Sequence, residues 1–214
     1  MEELDDIQRV KNANTMIENI VQTLGNVSSD ASLHSELINN GLIEVIQKFV
    51  LLFAAQCQTH NVHGVNEELE GINLLKTMPT SALKMIKCIV EIIHNLSLNP
   101  AVESKCVKLG IIPIMKTCLV LHDYKLFGNL FDAMGRYLIS EDPEIRRKMV
   151  YSGILQVFLE NHEKSKYSRI IRISAEYLTR VSAQDPQLFQ LNDRVEASIQ
   201  QANSKQGGGL PPAL

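Results

Sequence analysis

The same local pattern occurs twice in the sequence, and this repetition constrains the fold more than any other feature. Residues 24–41 read LGNVSSDASLHSELINNG, and residues 93–110 read IHNLSLNPAVESKCVKLG. In both stretches an amphipathic segment reaches an Asn, polar residues follow, and a short helical pattern runs to a Gly. Self-similarity at a period of a few tens of residues is the signature of stacked repeat architectures. We therefore expect an array of similar helical units.

Four segments share one amphipathic pattern. Apolar residues lie nine, six, five and two places before an anchor residue and one place after it, where the anchor is Asn26, Asn95, Arg136 or Arg180. Ser174 is the one polar exception, in the fourth segment. These offsets follow the period of an α-helix and place the apolar residues on one side. We call the four segments the anchor helices and predict that each commits this face to a core.

Signals for helix boundaries repeat as well. Residues suited to N-caps follow the first three anchors, at Asp30, Asn99 and Asp142. The short helical pattern after each of them ends at a glycine, at Gly41, Gly110 and Gly153. Glycine leaves a helix through a positive φ at little steric cost. Each unit is therefore predicted to contain a short helix, a glycine turn, a second helix and an anchor helix.

The stretches TLGNVSSDASLHSELINNGLIEVIQKFV and IIHNLSLNPAVESKCVKLGIIPIMKTCL resemble armadillo repeats. In that family the short helix is the first of each repeat and the anchor helix is the third. The resemblance implies an all-α fold, a right-handed α-α superhelix of armadillo-like solenoid type, as one domain over residues 1–203. The expected parts are a partial unit at 12–28, full units at 30–97, 98–139 and 142–182, a terminal helix pair at 186–203, a loop insertion at 56–79 and a disordered tail at 204–214.

Charge and hydropathy exclude several classes of partner. The net charge is −3, so no overall basic field exists to attract the phosphates of a nucleic acid. No apolar run reaches the roughly 20 residues that span a bilayer, and the N-terminal MEELDDIQRV is acidic where a signal peptide is basic. We expect a cytoplasmic protein, with the nucleus as the alternative compartment, that binds neither nucleic acid nor a membrane.

Motifs for catalysis are missing from the sequence, which has no phosphate-binding glycine loop, nucleophile elbow or paired zinc motif. Cys57, His60 and His63, spaced three apart, could form part of a zinc site, but no second cluster accompanies them. A polar loop near a helix end is the favoured interpretation. All four cysteines, Cys57, Cys88, Cys106 and Cys118, fall at mainly apolar helical positions, and this predicts buried thiols. We expect that the protein is not an enzyme and that it binds neither a metal ion nor a cofactor.

The resemblance also implies a binding site. In armadillo proteins the third helices line a concave groove, with binding residues at the anchor and four places before it. Following this stripe back along each helix gives the candidate partner-binding residues: Gln22, Asn26, Lys84, Lys87, Glu91, Asn95, Lys125, Asp132, Arg136, Arg169, Arg172, Glu176 and Arg180. In the last three anchor helices the stripe has seven cations and three anions. Such a face favours an acidic, extended or helical peptide segment.

Two charge patterns have a simpler interpretation. The stripe contains three pairs of opposite charge at i,i+4 spacing, Lys87–Glu91, Asp132–Arg136 and Arg172–Glu176. Pairs of this kind are common on solvated helix surfaces and contribute a few tenths of a kcal/mol each, about 0.3–0.5 kcal/mol. The run at 146–148, Arg-Arg-Lys, likewise indicates a solvated face of a short helix.

The sequence supports two functions. The leading one is a non-enzymatic protein–protein interaction module or scaffold, in which Asn26 and Asn95 bind the main chain of a segment held in the basic groove. The alternative is a structural subunit or regulatory fragment of a larger assembly, a setting in which formin regulatory domains and chaperone cofactors use similar solenoids. Its contact would be the 56–79 loop or the first anchor helix, whose apolar residues include Ile7, Val10 and Ile17. The oligomeric state is left open.

Overall fold

The computed structural model describes residues 2–60, 80–120 and 124–206, and within these ranges the chain is helical, with no strand. Its helices are α1 Glu2–Val27, α2 His34–Asn39, α3 Leu42–His60, α4 Thr80–Ser97, α5 Pro100–Lys108, α6 Ile111–Val120, α7 Tyr124–Leu138, α8 Pro143–Tyr151, α9 Ile154–Lys164, α10 Ser168–Gln184 and α11 Gln187–Gln206. A 3₁₀ turn, Ala31–Leu33, precedes α2. The all-α fold class is confirmed, and the superhelix stays a prediction.

The repeated N-caps form as the sequence predicts. The side chain of Asp30 accepts a hydrogen bond from the Ser32 N–H at 2.9 Å, at the start of the 3₁₀ turn. Asn99 and Asp142 accept in the same way from the second residue after them, at 3.1 and 2.8 Å. Because a proline follows each of these two caps, one N–H that the first turn would leave unsatisfied is already removed.

The three repeated glycines adopt the left-handed conformation. Gly41, Gly110 and Gly153 have φ angles of 88°, 95° and 80°. Each glycine N–H donates to the carbonyl three residues earlier, at 3.3, 3.2 and 2.9 Å, which closes the end of the preceding short helix. The next helix begins at the following residue in every case, so these turns are the tight corners that the pattern predicts.

Contacts divide the chain into two compact units, Met1–Arg136 and Tyr137–Leu214. In the N-terminal unit, α1 packs on α4, α3 packs on α6, and α2 contacts α5. Its core centres on α4, where Met85, Ile86, Ile89, Val90, Ile92, Ile93 and Leu96 are at most 5% exposed. All five apolar residues that the anchor pattern predicts for α4 are therefore buried.

In the C-terminal unit, α9 packs on α10, and α11 packs on α8. The rings of Phe158 on α9 and Tyr177 on α10 meet edge to face, with their centroids 6.1 Å apart. The buried face of α10 agrees with the predicted one only in part. Ser174 and Val181 are buried as predicted, but Ile171, Ala175 and Leu178 are only half-buried, and Ile170, Ile173 and Tyr177 are buried instead. Ile170, Ile173 and Tyr177 together offer more apolar area than Ile171, Ala175 and Leu178.

Three predicted boundaries need correction. The first anchor helix begins at Glu2 rather than near residue 12, and α3 continues to His60, so residues 56–60 are helical rather than loop. The predicted terminal helix pair at 186–203 is one helix, α11, because Val195 stands where the glycine would be and no Gly or Pro interrupts residues 187–206. This helix continues to Gln206, so residues 204–206 are helical rather than part of a disordered tail. The rest of the predicted insertion, 61–79, and of the predicted tail, 207–214, lies outside the described residues.

Candidate interaction surface

The predicted groove residues are solvent-accessible to different degrees. In the N-terminal unit, Gln22, Asn26, Lys84 and Glu91 are exposed, and Lys87, Asn95, Asp132 and Arg136 are half-buried. In the C-terminal unit, Arg169, Arg172, Glu176 and Arg180 are exposed. The side chain of Lys125 lies outside the described part of the structure. Every described candidate is thus accessible, as a binding residue has to be.

Only one of the three i,i+4 ion pairs forms at the predicted partners. Asp132 and Arg136 are paired at 3.1 Å, whereas Glu176 lies 4.0 Å from Arg180 instead of pairing with Arg172. The Arg180 guanidinium also lies over the Tyr177 ring, 5.6 Å from its centroid. Among the residues that the structure describes, no carboxylate comes within 4 Å of Lys84, Lys87 or Arg172. Ion pairing with described residues on the helix surface therefore does not account for these three cations.

In the N-terminal unit, the Asp132 carboxylate contacts both His94 and Arg136. Its Oδ2 atom lies 2.9 Å from His94 Nε2 and accepts from Arg136 Nε and Nη2 at 3.2 and 3.1 Å. His94 belongs to α4 and Asp132 to α7, so the carboxylate joins two anchor helices. His94 was not predicted as a site residue, because nothing in its local sequence distinguishes it from any other side chain on a helix.

Asn95 is engaged inside the N-terminal unit. Its Nδ2 donates to Ser28 Oγ at 3.1 Å, and Ser28, which is buried, donates in turn to the Gly25 carbonyl at 2.8 Å. This chain of bonds joins α4 to the end of α1. The predicted role of Asn95, binding the main chain of a partner, would therefore compete with an internal hydrogen bond, whereas Asn26 is exposed.

The two copies of the repeated sequence are hydrogen-bonded to each other. Besides the Asn95–Ser28 bond, Asn99 Nδ2 donates to the Ala31 carbonyl at 3.2 Å and lies 3.3 Å from His34 Nδ1. Lys105 Nζ donates to Asn39 Oδ1. These hydrogen bonds join the two copies of the repeated sequence within the N-terminal unit.

His34 sits at the centre of this junction and is 2% exposed. Asn99 uses its Oδ1 to cap α5, so its Nδ2 faces the imidazole and His34 Nδ1 has to accept. The proton of the neutral ring is therefore on Nε2, which donates to the Ser28 carbonyl at 2.7 Å. The ring is held in one tautomer by two segments of the repeated pattern.

Arg146 is buried and holds neighbouring segments together, a role that the sequence analysis did not predict. It was predicted to lie on a solvated face, but it is 9% exposed, and its Nη1 donates to the carbonyls of Ser140 and Glu141 at 2.6 and 3.2 Å. Its Nη2 donates to Asp185 Oδ2 at 3.1 Å, just after α10. The prediction does describe the rest of the run, since residues 147 and 148 are exposed.

Two of the described thiols, Cys88 and Cys118, have raised pKa values, which lowers the fraction of reactive thiolate. Burial raises the pKa of Cys118 to about 12. Burial, and secondly the charge of Glu91, raise the pKa of Cys88. In the described part of the chain no three His, Cys, Asp or Glu side chains gather as a metal site would need. The side chains of the predicted candidates Cys57, His60 and His63 lie outside that part.

Comparison with known proteins gives no family to which the chain can be assigned. No protein-family model, curated protein or solved structure matches it. Of the helices described above, none has both the length and the apolar character needed to cross a membrane. The function therefore has to be inferred from the surface chemistry of the chain itself.

Proposed function

We propose that the chain is a non-enzymatic protein-interaction module of armadillo-like type, whose anchor helices bind acidic segments of a partner protein, separately in each of the two units. The observation that carries the proposal is the set of cations without a carboxylate partner among the described residues, Lys84 and Lys87 on α4 and Arg172 on α10. Each unit has its own cationic strip, and each strip can be tested by itself.

The strip on α4 consists of Lys84 and Lys87, one helical turn apart on the same side. Lys84 is exposed and Lys87 half-buried, so both ammonium groups can reach a ligand that lies along the helix. An exposed charge contact contributes only about 0.2–1 kcal/mol, so useful affinity requires several of them together. The ligand that fits is a segment with closely spaced Asp or Glu residues.

The strip on α10 is built from arginines. Arg169 and Arg172 are exposed, and Arg180 lies further along the helix, with its charge shared between Glu176 and the Tyr177 ring. Guanidinium groups can hold a carboxylate through two parallel hydrogen bonds, which orients the ligand as well as attracting it. This second strip favours the same class of ligand as the first.

The armadillo-like arrangement is supported by the contacts of the repeated sequence. The side-by-side hydrogen bonds of its two copies, and the three glycine turns with nearly equal φ, agree with stacked repeats. A surface of this type binds segments of other proteins without covalent chemistry. The accessible positions of the anchor helices are then the natural place for the ligand.

The test is binding of a fluorescein-labelled peptide rich in Asp and Glu, followed by fluorescence anisotropy. Lys84→Glu with Lys87→Glu should weaken binding about tenfold or more, since two attractive contacts become repulsive. Added salt should weaken binding of the original chain, because exposed charges are screened. Circular dichroism should show unchanged helix content.

The matched control is Lys108→Glu with Lys116→Glu, which makes the same charge change at exposed positions of α5 and α6 in the same unit. This variant should bind the acidic peptide nearly as well as the original chain. Equal weakening in the two double variants would mean that only net charge matters, and the anchor-helix site would then be rejected. Failure of the original chain to bind the peptide would reject it as well.

A further inference from the structure

One side of α1 is apolar and open to solvent. Met16 is 65% exposed and Ile20 41% exposed, although the anchor pattern predicts Ile20 to be a core residue. A concavity of about 620 Å³ lies against this side and is lined by these two residues, by Leu24 and by neighbouring polar side chains of α1. Three other apolar residues of α1, at positions 7, 10 and 17, are predicted to contact a partner. Ile17 is half-buried, and the side chains of residues 7 and 10 lie outside the described part. We call the Met16–Ile20 surface the α1 patch.

The same positions are buried in α4. Ten and six places before its anchor, α4 has Met85 and Ile89, the same residue types as Met16 and Ile20 of α1. Met85 and Ile89 are 5% and 0% exposed. The residue three places before the anchor follows the same rule, since Ile92 of α4 is fully buried and Thr23 of α1 is exposed. The two helices thus share a pattern and differ in whether it is covered.

The C-terminal unit indicates what kind of element covers these positions. In α10 they are Ile170, Ser174 and Tyr177, all at most 2% exposed. The helix that precedes α10 in the chain, α9, packs against it, and its Phe158 ring meets the Tyr177 ring. In the C-terminal unit, the element that covers this face is therefore an amphipathic helix.

The charge of the α1 patch restricts its occupant further. The polar side chains that line the concavity are Asn12, Thr15, Asn19 and Thr23, and no charged side chain of the described residues lines it. A charged group placed there would lose hydration without gaining an opposite charge, so the contacting stripe of the occupant has to be apolar. This excludes the acidic segment of the proposed function as the ligand of the patch.

We propose that the α1 patch binds an amphipathic helix of a partner protein, with the apolar stripe of that helix packed on Met16 and Ile20 as α9 packs on α10. The patch belongs to α1, whereas the cationic strips belong to α4 and α10, and it takes a ligand of different chemistry. It rests on the shared pattern of the anchor helices and does not require acidic-segment binding. Burial of these two side chains against an apolar stripe removes their exposed apolar area from water, which favours association.

The probe is a synthetic helical peptide that carries the apolar positions of α9, Ile154, Leu155 and Phe158, with alanine-rich turns added at both ends so that it is helical alone. Binding of the labelled peptide to the full chain is measured by fluorescence anisotropy. Met16→Glu with Ile20→Glu should weaken binding at least about tenfold. Because both residues are exposed, the variant should keep the helix content and unfolding temperature of the original chain.

The matched control changes another exposed apolar pair, Leu51→Glu with Leu52→Glu on α3, at residues that are 57% and 58% exposed. This variant should bind the helical peptide as the original chain does. Equal loss in both variants, or no binding to the original chain, would overturn the proposal. The Met16 and Ile20 variant should leave acidic-peptide binding unchanged, so failure of one proposal can be distinguished from failure of the other.

A second copy of the chain is the competing occupant. Sedimentation velocity over a range of concentrations tests it directly. A monomer at all concentrations, together with peptide binding, supports the partner helix. A dimer that Ile20→Glu dissociates would overturn it in favour of self-association through the same patch.

Discussion

Arg146 stabilises the C-terminal unit because its guanidinium joins the loop before α8 to the residue after α10. Arg146→Met keeps an unbranched apolar side chain at this position and removes the donors to Ser140, Glu141 and Asp185. Loss of one partner leaves the Asp185 carboxylate partly buried without its counter-charge, so we expect the free energy of unfolding to fall by about 3 kcal/mol. Urea denaturation followed by circular dichroism measures this difference.

Arg147→Met is the control for that change, since Arg147 is the neighbouring arginine and is exposed. Substitutions at exposed positions generally alter the free energy of unfolding by no more than about 0.5 kcal/mol. If both variants lost the same stability, the effect would come from net charge and not from the hydrogen bonds of Arg146.

Asp30 gives the stability of the N-terminal unit a dependence on pH. Hydrogen bonds from the side chain and the backbone N–H of Ser32 lower the pKa of Asp30 in the folded chain. A lowered pKa means that the charged carboxylate stabilises the fold at neutral pH, and that this contribution is lost as the pH falls through the folded pKa. Asp30→Asn keeps a capping oxygen and removes the charge.

We therefore expect the original chain to be more stable than Asp30→Asn at neutral pH, and the difference to shrink below about pH 4. Thermal unfolding at a series of pH values measures it. A difference that stayed constant down to about pH 2 would show that the charge of Asp30 has no part in the cap.

At the scale of the helices, the glycine turns can be tested without disturbing the packing. A Cβ added at Gly110 or Gly153 would meet no heavy atom within 4 Å, so substitution acts only through the positive φ. Gly110→Ala should lower the free energy of unfolding by about 1–2 kcal/mol, the cost of a left-handed conformation for a residue with a Cβ. Gly110→Asn should cost less, because Asn adopts this conformation more readily.

Thermal unfolding of these variants distinguishes backbone strain from packing. If alanine and asparagine had the same effect at residue 110, the positive φ would not be the cause. Gly153→Ala provides an independent repeat of the measurement in the C-terminal unit, where the φ angle is 80°.

Sequence predicted the helices well wherever a boundary depends on nearby residues. Caps such as Asp142 and turns such as Gly153 act within a few residues of where they stand, so their chemistry is visible in a short stretch. The sequence predicted the buried face of α10 only in part. Several faces of that helix contain apolar residues, and the contact with α9 decides which of them is buried. The predicted terminal helix pair was wrong for a local reason. Val195, unlike a glycine, does not interrupt the helix.

The contacts of single side chains were much less predictable. Arg146 finds Asp185, and His94 finds Asp132, across almost forty residues of chain, and no spacing rule connects such partners. The same holds for the Asn95–Ser28 bond, which assigns an internal contact to a residue predicted to bind a ligand. These pairs come together through packing between helices, and that packing is not encoded in any short segment.

At the scale of the whole chain, the contacts divide the protein into two compact units. Phe158 is fully buried in the C-terminal unit, where it contacts Tyr177. Phe158→Ala should cost about 3–5 kcal/mol, since it removes a large apolar side chain and leaves a cavity. Hydrogen exchange with mass spectrometry should then show faster exchange throughout α8–α11 and little change in α4.

Exchange that accelerated equally in α4 would show that the two cores unfold as one cooperative unit. Ile89→Val in α4 is the reciprocal variant, with a smaller expected cost of about 0.5–1.5 kcal/mol, and its effect should appear first in the N-terminal unit. The distribution of exchange, rather than the overall stability, decides between the two outcomes.

The buried ring of His34 offers a spectroscopic view of the repeat junction. Its Nε2 proton is shielded from solvent and donates to the Ser28 carbonyl at 2.7 Å, so it should exchange slowly enough to give its own downfield proton resonance. Such a resonance would be observed only while both copies of the repeated sequence hold the imidazole. One line in a nuclear magnetic resonance spectrum could thus report on that junction during titration, heating or ligand binding.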